Sequence, residues 1–523
     1  MSIHLSKEES IFRNELIFCP DVKAINLDHT LTNFFMQIRH EGRRVKTAFK
    51  GEYTIDTVMT YMKNQEREGA FSGVEDLQDF AKTWVRCNLV NLAYRGNHAK
   101  EKFSALRPLH LETFLVQNVK HNRDYFTADQ LYYMLRVQPK ILDRLKTYLS
   151  KGYNSFLHEL QSDKGLDVDT VALLHLIKKI EAKTDVRSQT QFRIIKPFLE
   201  DQAKLFADDI LRLLAYQDVI PRNVMMEYLR ILSGFHLALY FYKLIYLLPK
   251  MVSAGTREIL DDWSMVVDVS GLLDSPMSMI ACQDMENQLN GLNSYIRSAI
   301  AFNVVRNRVI DNSPARQDDV DYILSLIKNP PSDANVYYEL QLKAVYGRFT
   351  DDEADERTDL QNYLKYEQDN FSKYVSLIQN VRGQYQYRFG LKFIDSVSMK
   401  NSDSALMIGG RSHKHARRGA LGSKLLELMV QLLVLRNKSD GSGFETRSLS
   451  VRELIMEIRN RYGLIIDGTG EKRFQDADVE THMAFGNNVN ALKNKLRQIG
   501  FYTDLSDAGS LQKINPRYQV KSC

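Results

Sequence analysis

Across the first 400 residues, apolar side chains recur at three- and four-residue spacing with few β-branched runs. That period suits packed amphipathic helices and disfavours a sheet-dominated body. Two adjoining segments show the pattern. Thr127 to Gln130 reads as a capping box, with the threonine accepting a backbone N–H and the glutamine reaching back, ahead of Leu131, Tyr132 and Leu135. Pro139 suits the first turn of a second helix through Ile141, Leu142, Leu145 and Leu149, ended near Gly152. Such a pair can serve as a helix-turn-helix, but a packed helical hairpin is the commoner outcome and the one expected here.

A chain of 523 residues has room for about two to four domains. Its 11 prolines and 26 glycines, beside 44% apolar and 26% charged residues, exclude collagen-like, low-complexity and wholly disordered classes. The stretch Ile231 to Leu248 is apolar enough to raise the question of a membrane span. His236 and Lys243 interrupt it and tyrosines enrich it, so a buried core helix is expected. Cys19, Cys87, Cys282 and Cys523 lie far apart with no C-x-x-C pair. This spacing argues against a disulfide framework or a cysteine zinc site, and favours a reducing compartment. The opening MSIHLSKEESIF is polar and carries no apolar signal core, so the expectation is a cytoplasmic protein with no membrane partner.

Polar, turn-forming runs at 161–169, 311–319 and 329–333 are candidate boundaries. The acidic run Asp351 to Glu356 reads as a solvated loop or helix start. No repeat of fixed period is evident. The expected division is an N-terminal helical domain (1–160), a central helical domain (161–398), a basic linker (399–419) and a C-terminal domain (420–523).

The net charge of +5 is unevenly spread. Residues 400–523 hold 20 Lys and Arg against 13 Asp and Glu, a balance of +7, which leaves −2 for the rest. A cationic segment beside a near-neutral body suits a protein that meets a polyanion over part of its surface; a solvated face without a ligand gives the same balance. Within the linker, Gly409-Gly410 and the cluster Arg411, Lys414, Arg417 and Arg418 form a composition able to follow a phosphate backbone.

The C-terminal segment carries the most specific pattern. Leu421 to Arg436 reads as a helix apolar on all sides, buried between this module and the body. After a turn at 440–443, Thr446 to Leu449 can form a short strand. Ser450-Val451-Arg452-Glu453 is a capping box for a helix with the stripe Val451, Leu454, Ile455, Ile458 and Tyr462, stopped by Gly463. A third helix is expected from Asn487 to Ile499, burying Val489, Leu492, Leu496 and Ile499 and ending at Gly500. Phe501 to Asp504 and Leu511 to Ile514 flank a turn and read as a hairpin. Helix, strand, helix, helix, hairpin is the winged-helix order, in which the third helix enters the major groove. Asn487, Asn490, Lys493, Asn494 and Arg497 oppose its apolar stripe, with Lys513 and Arg517 on or after the wing. Amides can pair with base edges or phosphates, and the cations supply the electrostatic attraction. A winged helix can equally be a protein–protein joint.

Between the second and third helices, Asp476, Asp478, Glu480 and His482 alternate. In an extended segment they would share one side and could take a divalent cation, but a polar loop is the expectation. P-loop, dinucleotide-fold, H-E-x-x-H and G-x-S-x-G motifs are absent. Glu181-Ala-Lys183 has the acid-x-Lys spacing of some metal-dependent nucleases but lies in a helical run, and His413-Lys-His415 belongs to the basic patch. No residue is assigned a catalytic, cofactor-binding or metal-binding role.

The stretches GSKLLELMVQLLVLR, RSLSVRELIMEIRNRYGLIID and NVNALKNKLRQIGFYTDLSDAGSLQKINPRY resemble the C-terminal region of helical accessory subunits from bacterial anti-phage defence islands, including methylation-associated and phosphorothioation-linked systems. The resemblance covers the last quarter of the chain. It implies a non-catalytic component working beside ATPases, nucleases or modification enzymes. The reading is therefore a mainly α protein, a multi-helix body with a C-terminal winged helix, that binds double-stranded DNA and docks other subunits of its system. The alternatives are a scaffold that ignores DNA, a metal-dependent nuclease hidden in the body, and a free-standing transcription regulator, for which so large a body is unnecessary.

Overall fold

The computed structural model describes residues 5–520 apart from 48–50, 98, 162–164, 182–185, 189–193, 351–352, 411–414, 440, 442 and 503–512. Its first part holds helices α1 (Leu27–Arg39), α2 (Ile55–Arg67), α3 (Gln78–Trp84), α4 (Thr127–Arg136), α5 (Pro139–Leu149) and α6 (Val168–Glu181). Three antiparallel strand pairs decorate them: β1 (Val45–Thr47) with β6 (Val186–Ser188), β2 (Val90–Ala93) with β3 (Lys102–Leu106), and β4 (Tyr153–Asn154) with β5 (Glu159–Leu160). Pro139 opens α5 as expected. The capping box at Thr127 is absent. Phe126 precedes α4 in a left-handed conformation, the Asp124 carboxylate accepts the Ala128 N–H, and Gln130 accepts from the Cys19 backbone instead. The nearby Asp124 takes the capping role, while the distant Thr30 and Cys19 engage Thr127 and Gln130.

The body then builds through α7 (Glu200–Leu214) and α8 (Arg222–Ala254). Strand β7 (Met265–Asp268) leads to α9 (Pro276–Asn312), α10 (Val320–Lys328), α11 (Ala334–Tyr346), α12 (Ala354–Leu364) and α13 (Asn370–Val397). By length and composition α8 could cross a membrane, yet 89% of its most apolar window is buried by its neighbours. It is the core helix that its tyrosines and His236 suggested. Phe18 stacks on Tyr240 and Phe241 and meets Phe393 edge-on, tying the N-terminal segment to α8 and α13. Gly234 marks a close approach on α8, since a Cβ there would lie 2.7 Å from Leu27 Cδ1.

The remaining elements are β8 (Met407–Ile408), β9 (Arg418–Ala420), α14 (Ser423–Leu433), β10 (Leu435–Asn437), β11 (Phe444–Thr446), β12 (Leu449–Ser450), α15 (Val451–Tyr462), β13 (Leu464–Ile465), α16 (Val479–Gln498) and β14 (Lys513–Ile514). Four short strands from distant parts of the chain form one sheet in the order β13-β7-β9-β8. Strand β7 runs parallel to β13 and β9, and β8 is antiparallel to β9. The described part of 399–419, expected as a linker between domains, thus supplies two strands of this sheet. One buried apolar cluster runs through residues from Leu16 to Ile514, so the segments expected as separate domains share a core.

Candidate nucleic-acid interface

Helix α15 starts with the expected capping box, Ser450 and Glu453 each bonding the other's backbone N–H, and ends at Gly463 in a left-handed conformation. Helix α14 is buried and packs against α7, α8 and α15. Two further strand contacts follow: β12 pairs antiparallel with β14, and Tyr502 bridges to Ile514 on the other side. The expected hairpin turn falls in 503–512, outside the described residues.

Helix α16 begins eight residues before the expected start. Asp478 caps it, accepting the Thr481 N–H at 2.8 Å, and these bonds hold its carboxyl below the usual range. The presumed loop carrying Asp476, Asp478, Glu480 and His482 is therefore helical from Val479 onward, which removes the one-sided row that an extended strand would have given. Among the described residues no group of three or more His, Cys, Asp or Glu could hold a metal ion.

The inward face of α16 carries Ala484, Phe485, Asn488, Leu492 and Leu496. Asn488 is 1% exposed, and its amide joins the sheet. Its Oδ1 accepts the Val269 N–H at 2.8 Å, while Nδ2 donates to Val267 O and Ile466 O, both at 2.9 Å. The signal was present, because Asn488 is in phase with Phe485, Leu492 and Leu496, but an asparagine within an Asn-rich run does not read as core. Lys495 also turns inward, donating to Leu421 O, and burial pulls its ammonium below the usual lysine range.

The outward face carries Asn487, Asn490, Asn494 and Arg497, all exposed, with Lys493 half-buried beside them. Arg497 donates to Asn494 Oδ1 at 2.7 Å and lies over the Tyr502 ring. Lys493 borders a groove of about 750 Å³ between α15 and α16, whose apolar floor includes Ile455, Met456 and Val489. Arg452 of α15, not singled out from the sequence, is exposed on the same groove. Arg459 on its rim is paired with Glu471. Lys513 is exposed on β14, opposite Ser450.

The other expected phosphate contacts are placed differently. Arg411 and Lys414 lie outside the described residues. Arg417 bonds Asp395 at 2.8 Å; burial acts upward on that carboxyl, but Arg417 and Lys400 hold it below its usual range. Arg418 is buried and bonds Asp268 at 2.9 Å. Arg517 bonds Glu427 at 2.6 Å and the Ile499 carbonyl at 3.2 Å, bracing α14 against the C-terminal segment. These three arginines are turned to internal partners. Glu181 ends α6, and Lys183 of the acid-x-Lys pair, like His413, lies outside the described residues.

The module is fixed to the body by a buried polar cluster. The Asp209 carboxylate on α7 accepts from His236 Nε2 of α8 and from the Tyr462 hydroxyl of α15, both at 2.9 Å, and from Arg461 Nε at 3.0 Å. Burial opposes ionisation of Asp209, yet the His236 and Arg461 bonds keep its carboxyl below the usual range. Buried and hydrogen-bonded across three helices, this cluster joins α7, α8 and α15.

No curated relative matches the chain. A family model does match, across residues 7–518, which spans the helical body, the four-stranded sheet and α16 together. On that match the chain belongs to the family described as methylation-associated defense system protein MAD7.

Proposed function

We propose that this component of an anti-phage defence system is a non-catalytic DNA-contacting adaptor, with residues 420–523 acting as a winged helix and α16 as its recognition helix. The observation that carries the reading is the split between the two faces of α16. Asn488 ties the helix to the sheet, with Leu492 and Leu496 buried on the same face, while Asn487, Asn490, Asn494, Arg497 and Lys493 stand on the other side. A rigidly seated helix presenting amides and cations suits major-groove contact. The sequence α15, α16, β14, with β14 flanked by β12 and Tyr502, favours a winged arrangement. Lys493, Arg497, Lys513 and Arg452 would neutralise phosphates, and Asn490 and Asn494 would set register. Other subunits of the system would dock on the helical body.

One observation favours a scaffold that leaves DNA alone: Arg417, Arg418 and Arg517 are engaged internally, which reduces the cationic surface. Fluorescence anisotropy of the full chain on a labelled duplex at low salt separates the two readings. The adaptor binds, and the K493A/R497A double variant, with unchanged melting, binds at least tenfold more weakly. Absent wild-type binding supports the scaffold, and equal affinity of the variant overturns α16 as the contacting helix.

A further inference from the structure

A second concentration of cations and aromatic rings involves residues remote from α16 in sequence, and the reading above does not use it. Residues 10–23 run alongside α13: the Ser10 carbonyl accepts from Arg382, and the Ile25 N–H donates to Ser396. Between them opens a groove of about 350 Å³ lined by Arg13, Lys23, Phe126, Arg382 and Tyr385, with Asp21 the carboxylate among its lining residues. That volume falls in the lower part of the range for small-molecule sites, about 300–1,000 Å³, and is too small for a duplex.

Cations and rings alternate around it. The Arg13 guanidinium lies 3.7 Å above the Phe126 ring, the Lys23 ammonium is 5.2 Å from the Tyr125 ring, and Arg382 is 5.5 Å from Tyr385. Along α13 the row continues, with Phe389 4.4 Å from Tyr385 and Lys392 5.1 Å from Phe389. These cations are lightly committed. Arg13 donates to the Cys19 carbonyl at 3.5 Å and approaches Asp21 only to 3.9 Å, and Arg382 Nε is a buried donor without a hydrogen-bond partner. Arg44, behind Phe126, is by contrast fully engaged by Asp124 and Asp129.

The backbone is bent to present these rings. Tyr125 (φ 51°) and Phe126 (φ 68°) are consecutive bulky residues in the left-handed region, where side chains other than glycine are rare. The Asp21 N–H bonds the Tyr125 carbonyl at 2.9 Å and holds the turn against the 10–23 segment. Such strain persists where surrounding structure over-determines it, and it concentrates at ligand-holding sites. Flat cationic and aromatic groups together match a ligand that is itself a flat ring bearing a phosphate.

We propose that this groove binds a nucleotide unit, its base stacking on Tyr385 and the Arg13 plane and its phosphate meeting Lys23 and Arg382. The unit can come from a free mononucleotide or from a single-stranded nucleic acid. The test is anisotropy of the full chain with a fluorescein-labelled short oligothymidylate, with thymidine monophosphate and inorganic phosphate as competitors. Expected is saturable binding that weakens at least fivefold in Y385A and in K23E, persists in Y385F, and is unchanged in K493A/R497A. Competition by the monophosphate at concentrations near its own affinity identifies the free nucleotide as ligand, and competition only by unlabelled oligothymidylate identifies the single strand. The proposal is overturned if folded wild-type protein binds none of these probes, if inorganic phosphate competes as well as the monophosphate, or if only K493A/R497A weakens binding. Because the α16 variant is scored separately, failure here leaves the duplex-binding reading untouched, and the reverse holds.

Discussion

Arg418 of β9 and Asp268 of β7, 150 positions apart in the chain, meet at 2.9 Å with both side chains almost wholly removed from solvent. Asp268 also accepts from the Ser270 and Gly271 N–H groups at 2.9 and 3.2 Å, so one carboxylate ties two parallel strands to the loop that follows. Removing one partner of such a pair strands a buried charge. R418A should therefore lower the unfolding free energy by about 3–5 kcal/mol, and the D268N/R418M double variant should lose less than half as much. Urea denaturation measures both, and equal losses would contradict the pairing.

Asn488 bonds three backbone groups, the Val269 N–H and the Val267 and Ile466 carbonyls. N488A should cost about 2–4 kcal/mol and speed hydrogen exchange at the Val269 amide. The outward residues of α16 would stay chemically intact, so any lost DNA affinity in this variant should recover when the temperature is lowered enough to refold the helix. A variant as stable as wild type would show that the amide does not seat α16.

Acid should destabilise the fold through the half-buried His40 and the buried His110. Burial pushes His40 from its ordinary 6.5 down to about 4 and His110 down to about 3. Between those values and 6.5 the unfolded chain binds protons that the folded chain does not. Stability is then fully present above about pH 6.5 and is lost progressively as pH falls toward 4 and 3. Chemical denaturation across pH 4–7 should show this slope, and H110N should flatten part of it.

Arg517 and Lys493 are both exposed enough to be mistaken for equivalent phosphate contacts, but Arg517 is engaged by Glu427 and Lys493 has no ion pair among the described residues. R517A should cost about 1 kcal/mol of stability and leave the salt dependence of duplex binding unchanged. K493A should leave stability nearly constant and reduce the slope of log affinity against log salt by about 1. Interchanged effects would reverse the two roles.

Local signals carried well. The Ser450–Glu453 box, the Gly463 stop, Pro139 at a helix start and the burial of α8 depend on residues within a turn or two of one another, and the helical period of the body is visible at the same range. The amide and cation row of α16 was also legible, because helical geometry alone puts those residues opposite Leu492 and Leu496. What tertiary structure decided lies at longer range. Strands of two to four residues, paired across up to 200 positions, leave no period in the sequence, so the sheet of β7, β8, β9 and β13 and the inward turn of Arg418 could not be read from it. The same holds for Gln130 bonding the distant Cys19 backbone, for Asn488 as a core residue and for the rings at Tyr125 and Phe126. In each case a polar or strained group has several local options of nearly equal free energy, and only the partner brought in by folding selects among them.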